Sequence, residues 1–285
     1  MNRELISKAK FCINEHQRIG NVQSWLLAGP QLRGAAAFNN ITAVAQRPLL
    51  LQTISASSSV PGGLINTTGL RVSGLSLNCG TQPIPVPCLS PTSGGASAST
   101  RVIGIAINQN SNVEVTGVQS GAGTFNYAIG ALPIDSAMVP TLEQQGDFYN
   151  FVVGAGEVAM AAGAAGTLTT TVVRGCWLGE VVCARQDGGA NIDSDFVLTD
   201  LTVNGLSMLG GDATSQIGLN FLTAAQSSTA DYILDYWVEP NSTISFQFSN
   251  LGAAAGTVGA AIFCKPYKAP ATKGNQFLSK SVKRG

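Results

Sequence analysis

Histidine, the side chain that most often performs acid–base catalysis or activates a nucleophile, occurs once in the 285 residues, as His16. A lone histidine in a basic segment near the N-terminus is typical of a solvated surface residue. No Gly-x-Ser-x-Gly, Gly-x-x-x-x-Gly-Lys or His-Glu-x-x-His motif is present. No lysine occurs between residues 11 and 264, which excludes a P-loop or Schiff-base lysine there. The sequence therefore predicts a protein that is not an enzyme and that needs no cofactor.

Six cysteines could bind a metal ion or form disulfides. None is part of a Cys-x-x-Cys pair, and His16 lies far from most of them, so a zinc site is not indicated. We expect most of them to be buried free thiols. A disulfide between Cys79 and Cys88 remains open, although a reducing cytoplasm would disfavour it. The six residues are Cys12, Cys79, Cys88, Cys176, Cys183 and Cys264.

One acidic cluster, Asp187, Asp193, Asp195 and Asp200, has the composition of a calcium site because carboxylate oxygens are the ligands that Ca²⁺ prefers. The cluster lacks the Asp-x-Asp-x-Asp-Gly spacing of a helix-loop-helix calcium loop. The pattern therefore favours a solvated loop between strands over a metal site.

Charge is distributed unevenly along the chain, although the formal net charge is zero. Residues 1–33 carry a net charge of +3 and residues 265–285 carry +6, whereas residues 34–264 carry −9. Basic ends of this kind often bind phosphate, either in lipid headgroups or in nucleic acid. The alternative is that they are two solvated tails. The candidate basic residues are Arg3, Lys8, Lys10 and Arg18 at one end, and Lys265, Lys268, Lys273, Lys280, Lys283 and Arg284 at the other.

The composition favours strands and tight turns. Charged residues make up only 11%, hydrophobic residues make up 45%, and there are 33 glycines. β-Branched side chains fit a pleated surface, and Gly and Asn supply turn geometry. No apolar run is long enough to span a membrane as a helix. The N-terminus lacks the apolar stretch of a secretory signal, so we expect the protein to stay in the compartment where it is made.

The chain contains an internal repeat with an offset of 131 residues. Residues 70–80 align with residues 201–211 and share Leu, Val, Gly-Leu-Ser and a final Gly. At the same offset, residues 110–115 align with residues 241–246, each beginning with Asn-Ser. Gly-Ala pairs align as well, at Gly121-Ala122 and Gly252-Ala253.

Alternating hydrophobic residues also match between the two copies, as expected for strands with one face in a core. An Asn-Ser turn separates two such strands in each copy. The unit is therefore a β-domain of roughly 110 residues that occurs twice, within the usual size of a domain. The matched sets are Ile103, Ile105 and Ile107 with Leu234, Tyr236 and Val238, and Tyr127, Ile129 and Ala131 with Val258, Ala260 and Ile262.

We predict five regions in the chain: a basic N-terminal segment at 1–19, a first β-domain at 20–132, a connector at 133–149, a second β-domain at 150–266 and a basic tail at 267–285. Short amphipathic helices are predicted at both termini, because Leu5, Ala9, Cys12 and Ile13, and again Phe277, Leu278 and Val282, are interleaved with basic residues.

The segment from Thr81 to Thr100 is the longest irregular stretch within a copy. It contains prolines at positions 83, 85, 87 and 91. Proline cannot donate to a central strand, so we expect this segment to be an exposed loop. Its counterpart, Asp212 to Asp231, has an almost entirely different sequence, as surface loops often do.

A duplicated β-barrel with basic ends outside both barrels resembles the double jelly-roll major capsid proteins of tailless icosahedral viruses and phages, which usually contain a membrane. The resemblance covers residues 20–266 and depends on the repeat and the charge layout. It implies an all-β fold of two tandem jelly-roll β-barrels. It also implies a structural protein of the virion that forms homotrimeric, pseudo-hexameric capsomers.

The same resemblance implies the partners and the location. Each subunit would contact other copies of itself, in the trimer and in the lattice, and a vertex or penton protein. The ten basic residues named above would face an internal lipid membrane or the genome. The protein would pass through the host cytoplasm during assembly before it is built into the virion.

Two other classes of protein fit parts of the sequence. A tandem β-sandwich binding module, such as an adhesin or a lectin, would explain the Ser, Thr, Asn and Gly content, but it explains neither the basic tails nor the absence of an export signal. A phage tail or head-decoration protein would share the virion setting without forming a closed lattice. Sugar-specific binding by a monomer would favour the first of these alternatives.

Overall fold

The fold is described by a computed structural model, which covers residues 25–33, 39–58, 62–89, 101–118, 123–139, 151–186, 191–209, 216–222 and 233–265. These residues form β-strands and short 3₁₀ helices, which confirms the all-β prediction. The helices predicted at the termini lie outside the described residues. Within the described ranges, no helix has the length and hydropathy needed to cross a membrane.

The first copy of the repeat forms two antiparallel sheets. One sheet has the strand order β1-β9-β3-β7, and the other has the order β2-β8-β4-β5, with β6 paired beside the start of β4. A 3₁₀ helix, η1 (Val86–Cys88), follows β6. The strands are β1 (Trp25–Arg33), β2 (Asn39–Val44), β3 (Leu49–Ser58), β4 (Leu64–Val72), β5 (Leu75–Ser76), β6 (Ile84–Pro85), β7 (Arg101–Ile107), β8 (Asn112–Val118) and β9 (Gly123–Pro133).

The second copy repeats this arrangement. Its sheets have the orders β10-β18-β12-β16 and β11-β17-β13-β14, with β15 paired beside the start of β13. The strands are β10 (Phe151–Met160), β11 (Ala165–Thr171), β12 (Cys176–Arg185), β13 (Phe196–Val203), β14 (Leu206–Ser207), β15 (Ile217–Gly218), β16 (Ile233–Val238), β17 (Thr243–Asn250) and β18 (Gly256–Lys265). The 3₁₀ helices are η2 (Ser136–Met138) after β9, η3 (Asp193–Asp195) before β13 and η4 (Leu219–Phe221) after β15.

The two copies have the same topology, strand for strand. In each, the first strand pairs with the last, the second with the one before it, and the chain alternates between two facing sheets. This connectivity is that of a jelly roll, whose two sheets leave few free strand edges. The chain is therefore two tandem jelly rolls related by internal duplication. The domain limits remain predictions, because residues 20–24, 140–150 and 266 lie outside the described residues.

Equivalent turns identify the repeat most directly. The β4–β5 hairpin turns through Ser73 (φ 49°) and Gly74 (φ 82°), and the β13–β14 hairpin turns through Asn204 (φ 50°) and Gly205 (φ 81°). Two consecutive positive φ angles define the type I′ turn that matches the twist of a two-residue hairpin. A Cβ added at either glycine would meet nothing within 4 Å, so these glycines serve backbone conformation and not packing.

The turn before the last two strands is also conserved between the copies. Asn110 (φ 66°) and Asn241 (φ 68°) both adopt the left-handed conformation, 131 residues apart. Each is bonded to the turn between the second and third strands of its copy: Ala45 N–H donates to Ser111 O at 2.9 Å, and Val172 N–H donates to Ser242 O at 2.9 Å. The Asn-Ser turns predicted from the repeat are therefore equivalent in the fold.

The alignment of the last strand of each copy requires a correction. Leu51 pairs with Ala131 in the first copy, and the equivalent Leu178 pairs with Cys264 in the second, so the offset here is 133 and not 131. The turn between β17 and β18 is two residues longer than the turn between β8 and β9. A shift of two residues keeps every side chain on the same face of its strand. The matching periodicity therefore could not reveal the shift.

The core lies between the two sheets of each jelly roll, where alternate residues of every long strand point inward. The largest fully buried side chains include Phe151, Phe196, Phe246 and Phe248, and full burial of a side chain of this size stabilises by roughly 1.5–3 kcal/mol. One continuous apolar cluster extends through both copies. A separate small cluster lies outside the first sheet, where Ile134 and Val139 pack on Leu50, Ala106 and Leu132.

The segment from Thr81 to Thr100 is not an exposed loop along its whole length. Residues 84–89 form β6, η1 and the cap of η1, and Ile84, Val86 and Leu89 are at most 2% exposed. Pro85 belongs to β6, an edge strand, where a missing N–H costs no ladder hydrogen bond. Proline density therefore excluded a central strand correctly, but it did not indicate exposure. Residues 90–100 lie outside the described residues.

The barrel ends are fixed by the registers. Trp25, at the start of β1, lies beside Ala131, which lies beside Leu51 near the β2–β3 turn. In the second copy, Phe151, at the start of β10, lies beside Cys264, near the end of β18. The first and last strands of each jelly roll therefore begin and end at the same end of the barrel, which also carries the β2–β3 turn and its counterpart between β11 and β12.

The two barrels stand in the same sense. Gly80 follows the β4–β5 hairpin, and it forms an antiparallel bridge with Val172, in the β11–β12 turn. Asn78 forms a parallel bridge with Val152, at the start of β10. Equivalent barrel ends therefore adjoin. Trp25 and Lys265, the described residues next to the two basic termini, consequently lie at one end of the molecule.

The two hairpin turns offer a matched pair of substitutions. Asn204 Oδ1 accepts a hydrogen bond from Thr243 N–H at 2.9 Å, whereas Ser73 occupies the equivalent left-handed position in the first copy. Asn tolerates this conformation better than Ser. Ser73→Asn should therefore raise the free energy of unfolding by about 0.5–1 kcal/mol, and Asn204→Ser should lower it by about the same amount. Denaturant unfolding of both variants tests this, and equal shifts in one direction would contradict it.

Candidate functional site

The contact between the two jelly rolls is the main candidate site, because it joins the two copies into one unit. It is formed by residues 77–89 of the first copy, which we call the docking segment. This segment runs along β10, the first strand of the second copy, and then across β12 and β18. It contains Leu77, Cys79, Ile84, Val86, Cys88 and Leu89, all of which are at most 2% exposed.

Backbone hydrogen bonds fix the start of the docking segment on the second copy. Cys79 N–H donates to Val152 O at 2.7 Å, and Val152 N–H donates to Leu77 O at 2.9 Å. On the other side, Val173 N–H donates to Cys79 O at 2.8 Å, and Thr81 N–H donates to Thr171 O at 3.0 Å. The docking segment therefore lies between strands of the second jelly roll and satisfies backbone groups of both copies.

The side chain of Asn78 holds this junction from within. It is 3% exposed. Its Oδ1 accepts hydrogen bonds from Gly80 N–H at 2.8 Å and from Gly154 N–H, in the second copy, at 3.0 Å. Its Nδ2 donates to Gln82 O at 2.8 Å. A buried amide with three satisfied bonds specifies one geometry, because any shift of the junction would leave buried polar groups without partners.

Glycines let the two backbones approach. A Cβ at Gly154 would lie 2.5 Å from Pro83 O, and a Cβ at Gly80 would lie 2.5 Å from Gly154 O. A Cβ at Gly259, in β18, would lie 2.6 Å from Cγ of Pro85. These three positions require glycine for close packing and not for turn geometry. Glycine within a strand often marks such an approach, and this was the signal in the sequence that could have indicated the contact.

The helix η1 completes the contact. Cys88 Sγ lies 3.6 Å from Val182 O in β12 and 3.9 Å from Gly259 O in β18. The cap residue Leu89 accepts a hydrogen bond from Ala56 N–H of β3 at 3.2 Å, which also fixes η1 to its own barrel. The helix is therefore buried between the two barrels and belongs to the cores of both.

Five cysteines are free thiols and buried, as predicted, and Cys12 lies outside the described residues. Cys79 and Cys88 do not form a disulfide. Burial raises the pKa of the Cys264 thiol, which is hydrogen-bonded to Cys176 and Cys79, and the bond with Cys264 lowers the pKa of Cys79. Burial, with Cys88 nearby, also raises the pKa of Cys183. Most of these thiols lie at the contact between the barrels and act there as small apolar side chains.

The acidic cluster does not converge on one point. Asp193 Oδ1 lies 3.0 Å from Arg185 Nε, Asp195 Oδ2 accepts a hydrogen bond from Ile192 N–H at 2.8 Å, and Asp200 Oδ1 accepts one from Ser207 Oγ at 2.7 Å. Asp187 lies outside the described residues. No group of three or more His, Cys, Asp and Glu in the described ranges is arranged to hold a metal ion. Each of these three carboxylates therefore has its own partner in the protein.

Of the ten predicted basic residues, only Lys265 lies among the described residues, at the end of β18 and beside Trp177 of β12. The other nine, Arg3, Lys8, Lys10, Arg18, Lys268, Lys273, Lys280, Lys283 and Arg284, lie outside them. Their segments continue from Trp25 and Lys265, which share one end of the molecule. Asp193 and Asp195 precede β13 and therefore lie at the opposite end of the second barrel.

No protein-family model and no curated protein matches this sequence. Two solved structures are similar over most of their length. A chain from the atomic structure of Sulfolobus Turreted Icosahedral Virus is 11% identical and has a TM-score of 0.35, with 92% of this chain and 95% of that chain covered. The crystal structure of the STIV MCP is 10% identical and has a TM-score of 0.34, with 86% and 98% covered. Both scores are low, and the fold assignment depends on the strand order of this chain alone.

Removal of the Asn78 side chain tests the contact between the barrels. Asn78→Ala should lower the free energy of unfolding by about 3 kcal/mol, because it leaves buried donors and an acceptor without partners. Asn112→Ala is the matched control, since the Asn112 side chain only bonds Glu114, at 2.9 Å, within the first copy. The control should cost less than about 1 kcal/mol. Equal losses for the two variants, measured by denaturant unfolding, would show that the junction has no special weight.

Proposed function

We propose that this chain is the major capsid protein of a tailless icosahedral virus or phage, a structural subunit and not an enzyme. The observation that supports this proposal is the fusion of two like jelly rolls, in the same sense, by a buried contact. A shell requires units that stand side by side and present one end inward and the other outward. Two barrels with adjoining equivalent ends already form such a unit within one chain.

The proposed assembly is a homotrimer with a pseudo-hexagonal outline. The contact inside the chain is heterologous, because it joins the docking segment of one copy to a different surface of the other. Heterologous contacts generate rings when their rotations close. Three chains supply six barrels in alternating order, and a near-hexagonal capsomer can tile a facet. The trimer would contact identical trimers in the lattice and a vertex protein at the corners of the shell.

The position of the termini supports an inner role for the basic residues. Both basic segments continue from one end of the molecule, whereas residues 34–264 carry a net charge of −9. We assign the basic end to the inner surface of the shell, where an internal lipid membrane or the genome would offer phosphate. Each Lys or Arg near an anionic surface contributes on the order of 1 kcal/mol. The protein would enter the virion after assembly in the host cytoplasm.

The mass of the purified full-length chain in solution tests the assembly. We expect a stable homotrimer by light scattering and hexagonal particles or arrays by electron microscopy. The proposal predicts this result over a range of protein concentrations, since capsomers are built before they enter a lattice. A strict monomer at all concentrations would contradict it, and sugar-specific binding by that monomer would favour a tandem binding module.

Deletion of residues 268–285 tests the basic end. The truncated chain should keep the fold and the trimer, because both jelly rolls end before this segment. It should bind vesicles that contain anionic lipid less tightly than the full chain, and high salt should weaken the binding of the full chain. The control keeps the full length and replaces Lys268, Lys273, Lys280, Lys283 and Arg284 with Gln. Unchanged vesicle binding and unchanged particle formation in both variants would remove the proposed role of the tail.

A further inference from the structure

The second jelly roll carries its own version of the docking device. β15 and η4 follow the same path as β6 and η1, with an offset of 133 residues. The residues before the two helices, Pro85 and Gly218, have φ/ψ of −63°/129° and −61°/140°, and the caps Leu89 and Leu222 have −108°/−6° and −108°/−3°. The two short helices are therefore the same structural element, repeated by the duplication.

Both helices are fixed to their own barrels by equivalent bonds. Ala56 N–H donates to Leu89 O at 3.2 Å, and Cys183 N–H donates to Leu222 O at 2.9 Å. The inward-facing residues are also equivalent, since Val86 and Leu219 are 1% and 0% exposed. The local structure of η4 is therefore as well determined as that of η1, and its outer surface is held in a defined position.

The outer surfaces of the two helices differ in one respect. Cys88 of η1 is fully buried because the second jelly roll covers it, whereas the equivalent residue of η4, Phe221, is 61% exposed. Within the described part of the chain, no third barrel covers η4. A large apolar side chain at the tip of a rigid element, in the place that its counterpart buries in a barrel contact, is suited to the same kind of contact.

We propose that η4, with Phe221 at its tip, packs on the first jelly roll of a neighbouring copy of this chain, across β3 and β9. The contact would repeat between chains what η1 does within the chain across β12 and β18. This inference deepens the proposed trimer, on which it rests, by naming the two surfaces that meet. It commits to a second copy of the chain because the only surface known to receive this device is a sheet of a sister barrel.

The receiving surface is located by register. Val182 and Gly259, whose carbonyl oxygens lie close to Cys88, correspond to Ser55 and Asn126 in the first copy. The change from Val182 to Ser55 reduces the receiving side chain, and the change from Cys88 to Phe221 enlarges the entering one. Their sizes therefore change in opposite directions, as expected if the second pair also packs together.

A charge substitution at Phe221 tests the contact. Phe221→Glu should turn the trimer into a monomer by light scattering, with the far-ultraviolet circular dichroism and the melting temperature of the monomeric unit unchanged, because Phe221 is exposed within its own chain. Phe221→Ala should raise the trimer dissociation constant at least tenfold. Leu251→Glu is the matched control: Leu251 is 65% exposed in the β17–β18 turn, at the other end of the barrel, and its substitution should leave the trimer intact.

A second experiment detects the contact directly. Phe221→Cys combined with Ser55→Cys should form disulfides between chains under mild oxidation, giving covalent trimers in denaturing gels, whereas Leu251→Cys with Ser55→Cys should not. If the unmodified chain is a trimer that Phe221→Glu leaves intact and the first pair gives no cross-link, this inference is wrong while the capsid proposal stands. Open-ended cross-linked oligomers would support the contact and contradict the closed trimer. Strictly monomeric protein without cross-links would overturn both.

Discussion

The two barrels form one body because the docking segment is buried by both of them at once. Its backbone bonds Val152 and Val173 of the second copy, and its apolar side chains join a core that is continuous through the molecule. Separation of the barrels would expose this apolar surface and would leave the buried amide of Asn78 without its partner across the junction. The free energy of the contact therefore determines the relative placement of the barrels, and with it the shape of the proposed subunit.

Duplication supplied two copies of one device, and divergence gave them different surroundings. The backbone of η1 and η4 is nearly the same, and both helices are fixed to their own barrels by equivalent bonds. The first copy has a small residue, Cys88, at the tip of its helix, where the sister barrel approaches closely. The second has Phe221, which the rest of the chain leaves exposed. Packing against one fixed neighbour requires a close steric match, whereas a contact made on assembly depends on a protruding apolar side chain.

The shared sense of the barrels also gives the molecule two different ends. The strands next to both termini end at the same side, so a basic segment at each terminus adds to one surface. Asp193 and Asp195 lie at the other end of the second barrel, where Asn191 and Asn250 bond the turns together through Ala254 O. This polarity follows from topology, because a jelly roll returns its last strand beside its first. The charge distribution of the sequence therefore becomes a distribution in space.

The sequence alone determined the features that neighbouring residues encode. Alternation with a period of two predicted the strands, and the offset of 131 predicted the duplication. Gly74 and Gly205 marked the equivalent turns, since only local backbone conformation decides where glycine is required. Tertiary structure decided the rest. The burial of residues 84–89, the need for glycine at Gly154 and Gly259, and the exposure of Phe221 depend on which surfaces meet, and these contacts join residues far apart in the chain. Local pattern contains no record of such neighbours, so a proline-rich stretch gave the appearance of a loop and the two-residue shift in the last strand remained hidden.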